Sequence, residues 1–353
     1  MGGGIVGCAA AAFLAEAGAR VELFESGELA GAASGRNSGA IQHPFDPVLS
    51  ELHRETIGHY RELDGFALPD EPAGLLMVAA SRAAIDPVAA EIGADLGVEL
   101  LDPDALRALE PGLTRGLWGC RVDTGYPVRP AAATLAFARR AARAGALLHE
   151  GRTAWPWVMG GGVRGVLAGG EHCAAGAVLV AAGPWTPEVI DPTLAWQPIV
   201  PVWGVVIEVS MADPPRHVLE QADVSELGLG AAPESLFSLV TADGVAALGS
   251  TFLAQEPDPA AWAGRLKREG VSFVPALERA KVEGARACAR PQSLDGRPLV
   301  GPLAGTEGLW VAAGHGPWGI STGPATARLA ADALLGGAEA PSALAPGRFA
   351  HVG

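Results

Sequence analysis

The first candidate for chemistry is a glycine-rich turn at the start of the chain, where residues 2–7 read GGGIVG and match the pattern G-x-G-x-x-G. Glycines let the backbone approach a pyrophosphate closely, and a helix after the turn points its N–H groups and positive dipole end at the phosphates. Glu25 closes the next apolar segment, where its carboxylate can accept hydrogen bonds from a ribose. A tight structural turn followed by a surface glutamate is the alternative. The pattern favours a dinucleotide site formed by Gly2, Gly4, Ile5, Val6, Gly7 and Glu25.

A second glycine-rich segment, GHGPWGISTGP at residues 314–324, precedes the last long apolar stretch at residues 325–335. Its glycine content predicts a loop, with Pro324 in the first turn of the helix that follows. The N-terminus of that helix can stabilise negative charge on a ligand. A loop that only caps the helix is the alternative.

Part of the same segment, GISTG at residues 319–323, also matches the G-x-S-x-G nucleophile elbow of serine hydrolases. An elbow needs its serine directly after a strand, whereas residues 314–318 intervene here. Only 30 residues separate Ser321 from His351, which leaves little chain for the remaining triad. A serine hydrolase that uses Ser321 is therefore kept as a remote alternative.

Together with three further segments, these motifs show that the chain resembles the FAD-dependent oxidoreductases of the D-amino-acid oxidase type, which include glycine and sarcosine oxidases. The resemblance runs end to end and keeps the order of that family. The three further segments are GAASGRNSG at 31–39, VAAGPWT at 180–186 and RPQSLDGRPLVG at 290–301.

The resemblance implies a bound FAD. In this family the segment at 31–39 wraps the FAD pyrophosphate and approaches the flavin edge, and the segment at 314–324 borders the flavin. No cysteine lies in or just before that last segment, where the sarcosine-oxidase branch forms a thioether, so we predict that FAD is bound non-covalently. The further cofactor-binding residues carried over are Ser34, Arg36, Asn37, Ser38, Gly39, Ala182, Gly183, Trp185, Gly314, Gly316, Gly319, Ile320, Ser321 and Thr322.

Arg290 is the candidate for substrate recognition. In the glycine-oxidase branch an arginine at this position grips the substrate carboxylate, and a planar guanidinium can do so through two parallel hydrogen bonds. A structural ion pair is the alternative. Tyr126 is predicted to line the pocket or to pack in the core, and His315, like His43, is predicted to border the flavin or to be a structural hydrogen-bonding group.

The resemblance implies oxidation of the C–N bond of an amino acid or N-alkyl amino acid to an imine, with hydride transfer to flavin N5. No general base is needed if a neutral amine is held close to the flavin. A 2-hydroxy acid or another small carboxylate is the alternative substrate, because Arg290 recognises the carboxylate and not the group that is oxidised. A cofactor-free binding module is a further alternative. The electron acceptor, oxygen or a redox partner, is left open, with a dehydrogenase slightly favoured.

The order of segments predicts an α/β protein with two discontinuous domains. Apolar runs at 20–25, 177–182 and 309–313 indicate parallel strands, whereas 199–209 and a hairpin turning at Asp243 and Gly244 indicate an antiparallel sheet. We predict a Rossmann-like FAD-binding domain from residues 1–45, 128–190 and 288–353, interleaved with an α+β substrate domain from residues 46–127 and 191–287.

Composition excludes several classes of protein. Hydrophobic residues make up 49% of the 353 residues and no uninterrupted apolar run is long enough to span a bilayer, so we expect a cytoplasmic globular protein without membrane insertion. The net charge of −14 argues against nucleic acid as a partner. The four cysteines are scattered without metal-ligand spacing, and no metal site is predicted.

The turn at residues 2–7 directly follows Met1, whereas such a turn normally follows a buried strand of about five residues. The first strand of the Rossmann unit is thus missing from this sequence. We expect a misplaced start, weak FAD binding and poor folding, because neighbouring strands lose their ladder partners. An upstream extension of about ten residues tests this expectation by its effect on flavin content and melting temperature.

Overall fold

The computed structural model describes residues 1–92, 96–222 and 233–349. The helices are α1 (Ile5–Glu16), α2 (Ala33–Arg36), α3 (Pro47–Arg61), α4 (Arg82–Ile92), α5 (Pro103–Leu109), α6 (Ala132–Arg143), α7 (Thr186–Ile190), α8 (Pro259–Phe273) and α9 (Gly319–Leu334). The strands are β1 (Glu22–Phe24), β2 (Ala40–Ile41), β3 (Leu75–Ala79), β4 (Val98–Leu101), β5 (Trp118–Val122), β6 (Tyr126–Pro127), β7 (Leu147–His149), β8 (Ala154–Met159), β9 (Gly162–Ala168), β10 (Glu171–Ala174), β11 (Val178–Val180), β12 (Ile199–Ser210), β13 (Val218–Gln221), β14 (Ser235–Ala242), β15 (Val245–Thr251), β16 (Lys281–Ser293), β17 (Leu299–Pro302) and β18 (Leu309–Ala313). None of the described helices is long and apolar enough to cross a membrane.

The parallel strands form two small groups. Strand β1 pairs with β7, and β11 pairs with β18, which in turn pairs antiparallel with β17. Between the groups, the Met1 ammonium donates to the Leu179 carbonyl at 2.7 Å and the Met1 carbonyl accepts from the N–H of Ala181 at 2.8 Å. On the other side the Gly2 N–H donates to the Phe24 carbonyl at 2.8 Å. Through these bonds, Met1 and Gly2 connect the two groups of strands.

Helix α1 is the centre of the hydrophobic core beside these strands. Its alanine-rich sequence lets neighbouring helices approach closely, and it packs against α6 and α9 with almost every residue buried. Gly18, at φ +88°, lies in the turn after the helix and leads into β1. The predicted turn, helix and strand at the start of the chain are confirmed, with β1 shorter than expected.

The fold has two halves: the small groups of parallel strands with the helices around α1, and an eight-stranded mixed sheet. The strand order of this large sheet is β16-β12-β15-β14-β13-β3-β5-β4. All its neighbours are antiparallel except β13 and β3, so the predicted antiparallel sheet is correct apart from one parallel pair. The hairpin of β14 and β15 turns at Asp243 (φ 50°) and Gly244 (φ 76°), as the type I′ preference predicts. Strand β16 crosses the predicted domain boundary at 287/288 and brings Arg290 into this sheet.

Helix α9 begins earlier than the sequence predicts. Residues 316–318 form a 3-10 turn and the helix starts at Gly319, so Pro324 lies inside it rather than in a first turn after a loop. A proline inside a helix removes one backbone donor. The carbonyl of Ile320, four residues before Pro324, accepts a hydrogen bond from the Tyr60 hydroxyl of α3 instead, which explains how the helix tolerates the proline.

Candidate functional site

A cavity of about 980 Å³ is lined by residues from both halves of the fold. Its size is at the upper end of the range of ligand pockets, about 300–1,000 Å³. The predicted site residues that line it are Gly2, Gly4, Ile5, Val6, Glu25, Ser34, Asn37, Ser38, Ala182, Gly183, Trp185, Arg290, His315, Gly316, Gly319, Ile320 and Ser321. The predicted site residues outside the lining are Gly7, Arg36, Gly39, Tyr126, Gly314 and Thr322.

Steric constraints explain why the first turn contains glycines. A Cβ on Gly7 would lie 1.9 Å from the Gly2 carbonyl oxygen, so only glycine lets the turn close. Gly2 has φ +103°, and a Cβ there would lie 2.3 Å from the carbonyl oxygen of Ala181. Gly7 therefore shapes the turn without touching the cavity, whereas Gly2 and Gly4 border it directly.

Two side chains hold the turn in place. The Glu25 carboxylate accepts from the Gly3 N–H at 2.6 Å through one oxygen and from the Gly27 N–H at 2.8 Å through the other. The Ser34 hydroxyl accepts from the Ile5 N–H at 2.9 Å at the start of α1. Glu25 thus fixes the turn and also lines the cavity, where the ribose of a dinucleotide is predicted.

The segment at residues 31–39 is shaped by its own side chains. The Asn37 amide donates to the Ala33 carbonyl at 3.0 Å, and its oxygen accepts from the Gly39 N–H at 2.8 Å. Gly39 has φ +85° and approaches the Val128 carbonyl so closely that a Cβ would lie 2.3 Å from it. Gly39 is therefore a shaping residue outside the lining, as Arg36 is.

Arg286 anchors this segment to the large sheet and was missed by the sequence analysis. Its Nε and Nη2 donate to the carbonyls of Arg36 and Asn37 at 3.0 and 2.8 Å, and its Nη1 pairs with Glu208 at 2.7 Å. The available signal was its spacing: Arg286 precedes Arg290 by four residues on one strand, so both face the same side.

Arg290 is held at the cavity by the ends of neighbouring strands. Its Nη1 donates to the Thr251 carbonyl at 2.8 Å, and its Nη2 donates to the Ser250 hydroxyl. The guanidinium carbon lies 4.8 Å from the centre of the Phe252 ring. Gly204 on the adjacent strand makes room, because a Cβ there would lie 2.6 Å from the guanidinium. The side chain is thus oriented by the protein and lines the cavity.

His315 is a buried neutral group. Its Nε2 lies 2.7 Å from the Thr326 hydroxyl, whose hydrogen is donated to the Gly323 carbonyl. Because that hydrogen is used, we assign the proton on the ring to Nε2. Burial lowers the pKa of His315 to about 4. The ring therefore contributes shape and hydrogen bonding to the cavity wall and carries no charge at neutral pH.

Ser321 lies in the first turn of α9, and its hydroxyl accepts from the Gln42 N–H at 3.1 Å. The nearby His53 contacts the Ser321 carbonyl through Nδ1 at 3.2 Å and not the hydroxyl. The serine therefore neither follows a strand nor has this histidine as a base. The hydrolase interpretation of the GISTG motif is wrong for these reasons.

Three other predicted residues have structural roles. Tyr126 lies on β6 opposite Ile41 and is buried in the helical core, so the core alternative describes it and the pocket alternative does not. The Thr322 hydroxyl donates to the Trp318 carbonyl at 2.9 Å. Gly314, with φ +91°, packs against Leu299.

Gln42 and Glu220 line the cavity and were also missed. The Gln42 amide nitrogen donates to Glu220 Oε2 at 3.2 Å. Burial raises the pKa of Glu220 to about 7. A glutamate in a short strand such as β13 usually faces solvent. Nothing in the sequence therefore distinguishes Glu220 from a surface acid.

The residues present fit a bound FAD. The lining runs from the glycine turn and Glu25, through Ser34 and the start of α9, to Arg290 on the large sheet. Gly2 and Gly7, at which a Cβ would clash, lie in the turn that is predicted to hold the pyrophosphate. Glu25 lies where the ribose is predicted. Within residues 1–92, 96–222 and 233–349, no cluster of acidic, histidine or cysteine side chains has the arrangement of a metal site.

Comparisons with known proteins agree with this geometry. The DAO family profile, FAD dependent oxidoreductase, matches residues 1–333. A glycine oxidase of Bacillus licheniformis is 25% identical over 95% of this chain and 92% of its own length. A glycine oxidase of Pseudomonas aeruginosa is 28% identical over 95% of this chain and 94% of its own. The crystal structure of glycine oxidase from Geobacillus kaustophilus superposes with a TM-score of 0.83 at 25% identity, covering 100% of this chain and 98% of that one.

Proposed function

The chain belongs to the DAO family of FAD-dependent oxidoreductases, and on that basis we propose that it oxidises the C–N bond of an amino acid or N-alkyl amino acid to an imine. Water then hydrolyses the imine to a carbonyl compound and an amine. Relatives named glycine oxidase and D-amino acid dehydrogenase match 82–95% of this chain at 25–29% identity, which supports an amino-acid substrate.

The position of Arg290 is the observation that carries the proposal. The guanidinium lines the cavity while Thr251, Ser250 and Phe252 fix its plane. A fixed guanidinium binds a carboxylate with a defined orientation and so determines which substituent of Cα faces the cofactor.

The cofactor end of the cavity has groups suited to the pyrophosphate, a ribose and the flavin of FAD. The glycine turn and the start of α1 would hold the pyrophosphate, and Glu25 would accept from the ribose. The start of α9 would lie beside the flavin, where the positive end of a 16-residue helix stabilises negative charge. A bound flavin supplies the acceptor for the hydride that leaves Cα.

No side chain is needed as a base for this reaction. His315, the histidine that lines the cavity among the described residues, is neutral at physiological pH because burial lowers its pKa to about 4. The substrate enters as the neutral amine, and the protein contributes by holding Cα close to the cofactor and excluding water.

The test is anaerobic reduction of the flavin in the purified protein, followed at visible wavelengths. Glycine, sarcosine, both enantiomers of other amino acids and 2-hydroxy acids are compared, and oxygen and a redox dye are compared as acceptors. Reduction by an amine supports the proposal. Reduction by 2-hydroxy acids alone overturns the C–N assignment.

Substitution tests the role of Arg290 separately. Arg290→Ala is expected to lower kcat/KM by tens- to several-hundred-fold, because a charge-assisted bidentate contact contributes about 2–4 kcal/mol. Flavin content should not change. The control is Arg328→Ala, which removes an arginine paired with Asp332 on the surface of α9. Wild-type kcat/KM in Arg290→Ala would assign Arg290 a structural role.

A further inference from the structure

Glu220 lines the substrate side of the cavity but has no part in the function proposed above. It lies on β13, opposite Ser238 of β14, and Ser238 lies opposite Gly249 of β15. Glu220 and Ser238 both line the cavity. The large sheet therefore presents a carboxyl group to the same space as Arg290, several strands away.

Gln42, the hydrogen-bond partner of Glu220, carries a buried acceptor that has no donor among the described residues. Gln42 is more than nine-tenths buried, and its amide nitrogen donates to Glu220 Oε2 at 3.2 Å. The other amide atom, Gln42 Oε1, is buried and has no hydrogen-bond partner in the described part of the chain. A buried acceptor without a donor destabilises the folded state, because it has lost its bonds to water. The pair Glu220 and Gln42 thus lacks a donor.

The missing donor is best supplied by a cation. Within the three described ranges no lysine, arginine or histidine forms an ion pair with Glu220, and burial raises its pKa to about 7 despite the hydrogen bond from Gln42. A carboxylate removed from water needs a paired charge to remain ionised. An ammonium or guanidinium group has several N–H donors, enough for both Glu220 and Gln42.

The position of Arg290 shows how a substrate could reach this pair. Strands β12, β15 and β14 lie between β16 and β13, but the Arg290 guanidinium extends to Ser250 and Thr251 at the end of β15. Two strand spacings, roughly 10 Å, therefore separate the guanidinium from the backbone of β13. A substrate whose carboxylate is held by Arg290 can extend a group across this distance. Because the amine that is oxidised enters in its neutral form, the cation at Glu220 is a different nitrogen group.

We propose that Glu220 and Gln42 bind a second, cationic nitrogen group of the substrate, remote from its carboxylate. The substrate class is an amino acid or N-alkyl amino acid with an ammonium or guanidinium group on its side chain or N-substituent. This assignment rests on the proposed function, because it uses Arg290 as the carboxylate site.

Calorimetric binding to the flavin-loaded protein tests the assignment without turnover. The probes are 6-aminohexanoate and hexanoate, which share a carboxylate and differ in the remote ammonium. The wild-type protein should bind 6-aminohexanoate about ten- to hundredfold more tightly, the range expected for a charge-assisted contact. Glu220→Gln should remove this difference between the two probes. Equal binding of both probes by the wild type, or undiminished discrimination by Glu220→Gln, overturns the assignment.

Two controls distinguish a Glu220→Gln variant that is merely misfolded from a wrong assignment of Glu220. Glu99→Gln changes an exposed carboxylate on β4 of the same sheet and should keep the wild-type discrimination. Melting temperature and flavin content report folding, and Glu220→Asp, which keeps the charge, should retain part of the preference if Glu220→Gln is unstable. Complete loss of preference in a folded Glu220→Asp variant argues against charge recognition.

Turnover distinguishes this assignment from the proposed function. Lysine should exceed norleucine in kcat/KM by a similar factor, for whichever enantiomer reacts, and Glu220→Gln should equalise the two. If no amine reduces the flavin, the proposed function fails. If norleucine and lysine react equally well in the wild type, the function stands and the Glu220 assignment fails.

Discussion

The Tyr60 hydroxyl donates a 2.6 Å hydrogen bond to the carbonyl of Ile320, inside the first turns of α9. Pro324 lies four residues further along the helix and has no N–H to give to that carbonyl. Thr56, one turn earlier on α3, accepts from the Ala325 N–H at 3.2 Å. One face of α3 therefore supports the part of α9 that borders the cavity.

We expect Tyr60→Phe to destabilise the protein by about 1–3 kcal/mol, because the Ile320 carbonyl becomes a buried acceptor without a donor. A lower melting temperature and a lower flavin content are the measurements. Tyr126→Phe is the matched control, since Tyr126 is the only other tyrosine and its hydroxyl makes no hydrogen bond within the described residues. Equal melting temperatures for both variants contradict the expectation.

The elements that the sequence predicts well are those with local signals. The hairpin at Asp243 and Gly244 needs two residues with positive φ, and the turn before α1 needs Gly7 to avoid the Gly2 carbonyl. The start of α9 has no such signal. Pro324 is tolerated there because Tyr60, far away in the chain, replaces a lost donor, and this depends on tertiary packing.

The residues of the site also differ in whether a local sequence signal identifies them. Arg290 was identified because a motif surrounds it, whereas Glu220 was not, because a single acid in a strand usually faces water. Its position in the cavity depends on the order of the strands in the large sheet. Tyr126 shows the opposite error, since a rare aromatic residue near the predicted crossing between domains proved to be a core residue.

Gly204→Ala is expected to displace the Arg290 guanidinium, because the added Cβ would lie 2.6 Å from it. Misplacing a substrate-orienting group by about 1 Å lowers rates on the order of 100-fold, so kcat/KM should fall strongly while flavin content stays constant. Gly284→Ala on the neighbouring β16 is the control, since its Cβ meets only the Glu208 carboxylate at 4.0 Å. The measurement is steady-state kinetics on the best substrate. Wild-type activity in Gly204→Ala would show that Arg290 can shift its position without a loss of kcat/KM.

The flavin is expected to be released by acid precipitation, leaving a colourless pellet. Cys288 is the cysteine that lines the cavity in the described residues, and burial raises the pKa of its thiol. The protonated thiol is a poor nucleophile, so a thioether to the flavin is not expected. Yellow colour that stays with the wild-type pellet and is lost in Cys288→Ser would instead reveal a covalent bond at this residue.

Stability is expected to fall as the pH drops below about 6.5, because two buried histidines resist protonation. Burial lowers the pKa of both His53 and His315 to about 4, below the unfolded value. The unfolded chain therefore binds protons first as the pH falls, and the stabilisation present above pH 6.5 is lost progressively down to about pH 4. Each group contributes up to about 3 kcal/mol over that window.

The two histidines contact Ser321 and Thr326 of α9, so acid should loosen the wall of the cavity as well as the fold. Denaturant unfolding of the wild type and of His53→Asn and His315→Gln at pH 7.0, 6.0 and 5.0 measures the effect. The amides keep a donor toward α9 without titrating, so each variant should show a shallower loss of stability with falling pH than the wild type. Glu220, whose raised pKa gives a contribution of opposite sign, is present in all three proteins and cancels in the difference. Parallel pH profiles for the three proteins would show that neither histidine is protonated less readily in the folded state than in the unfolded chain.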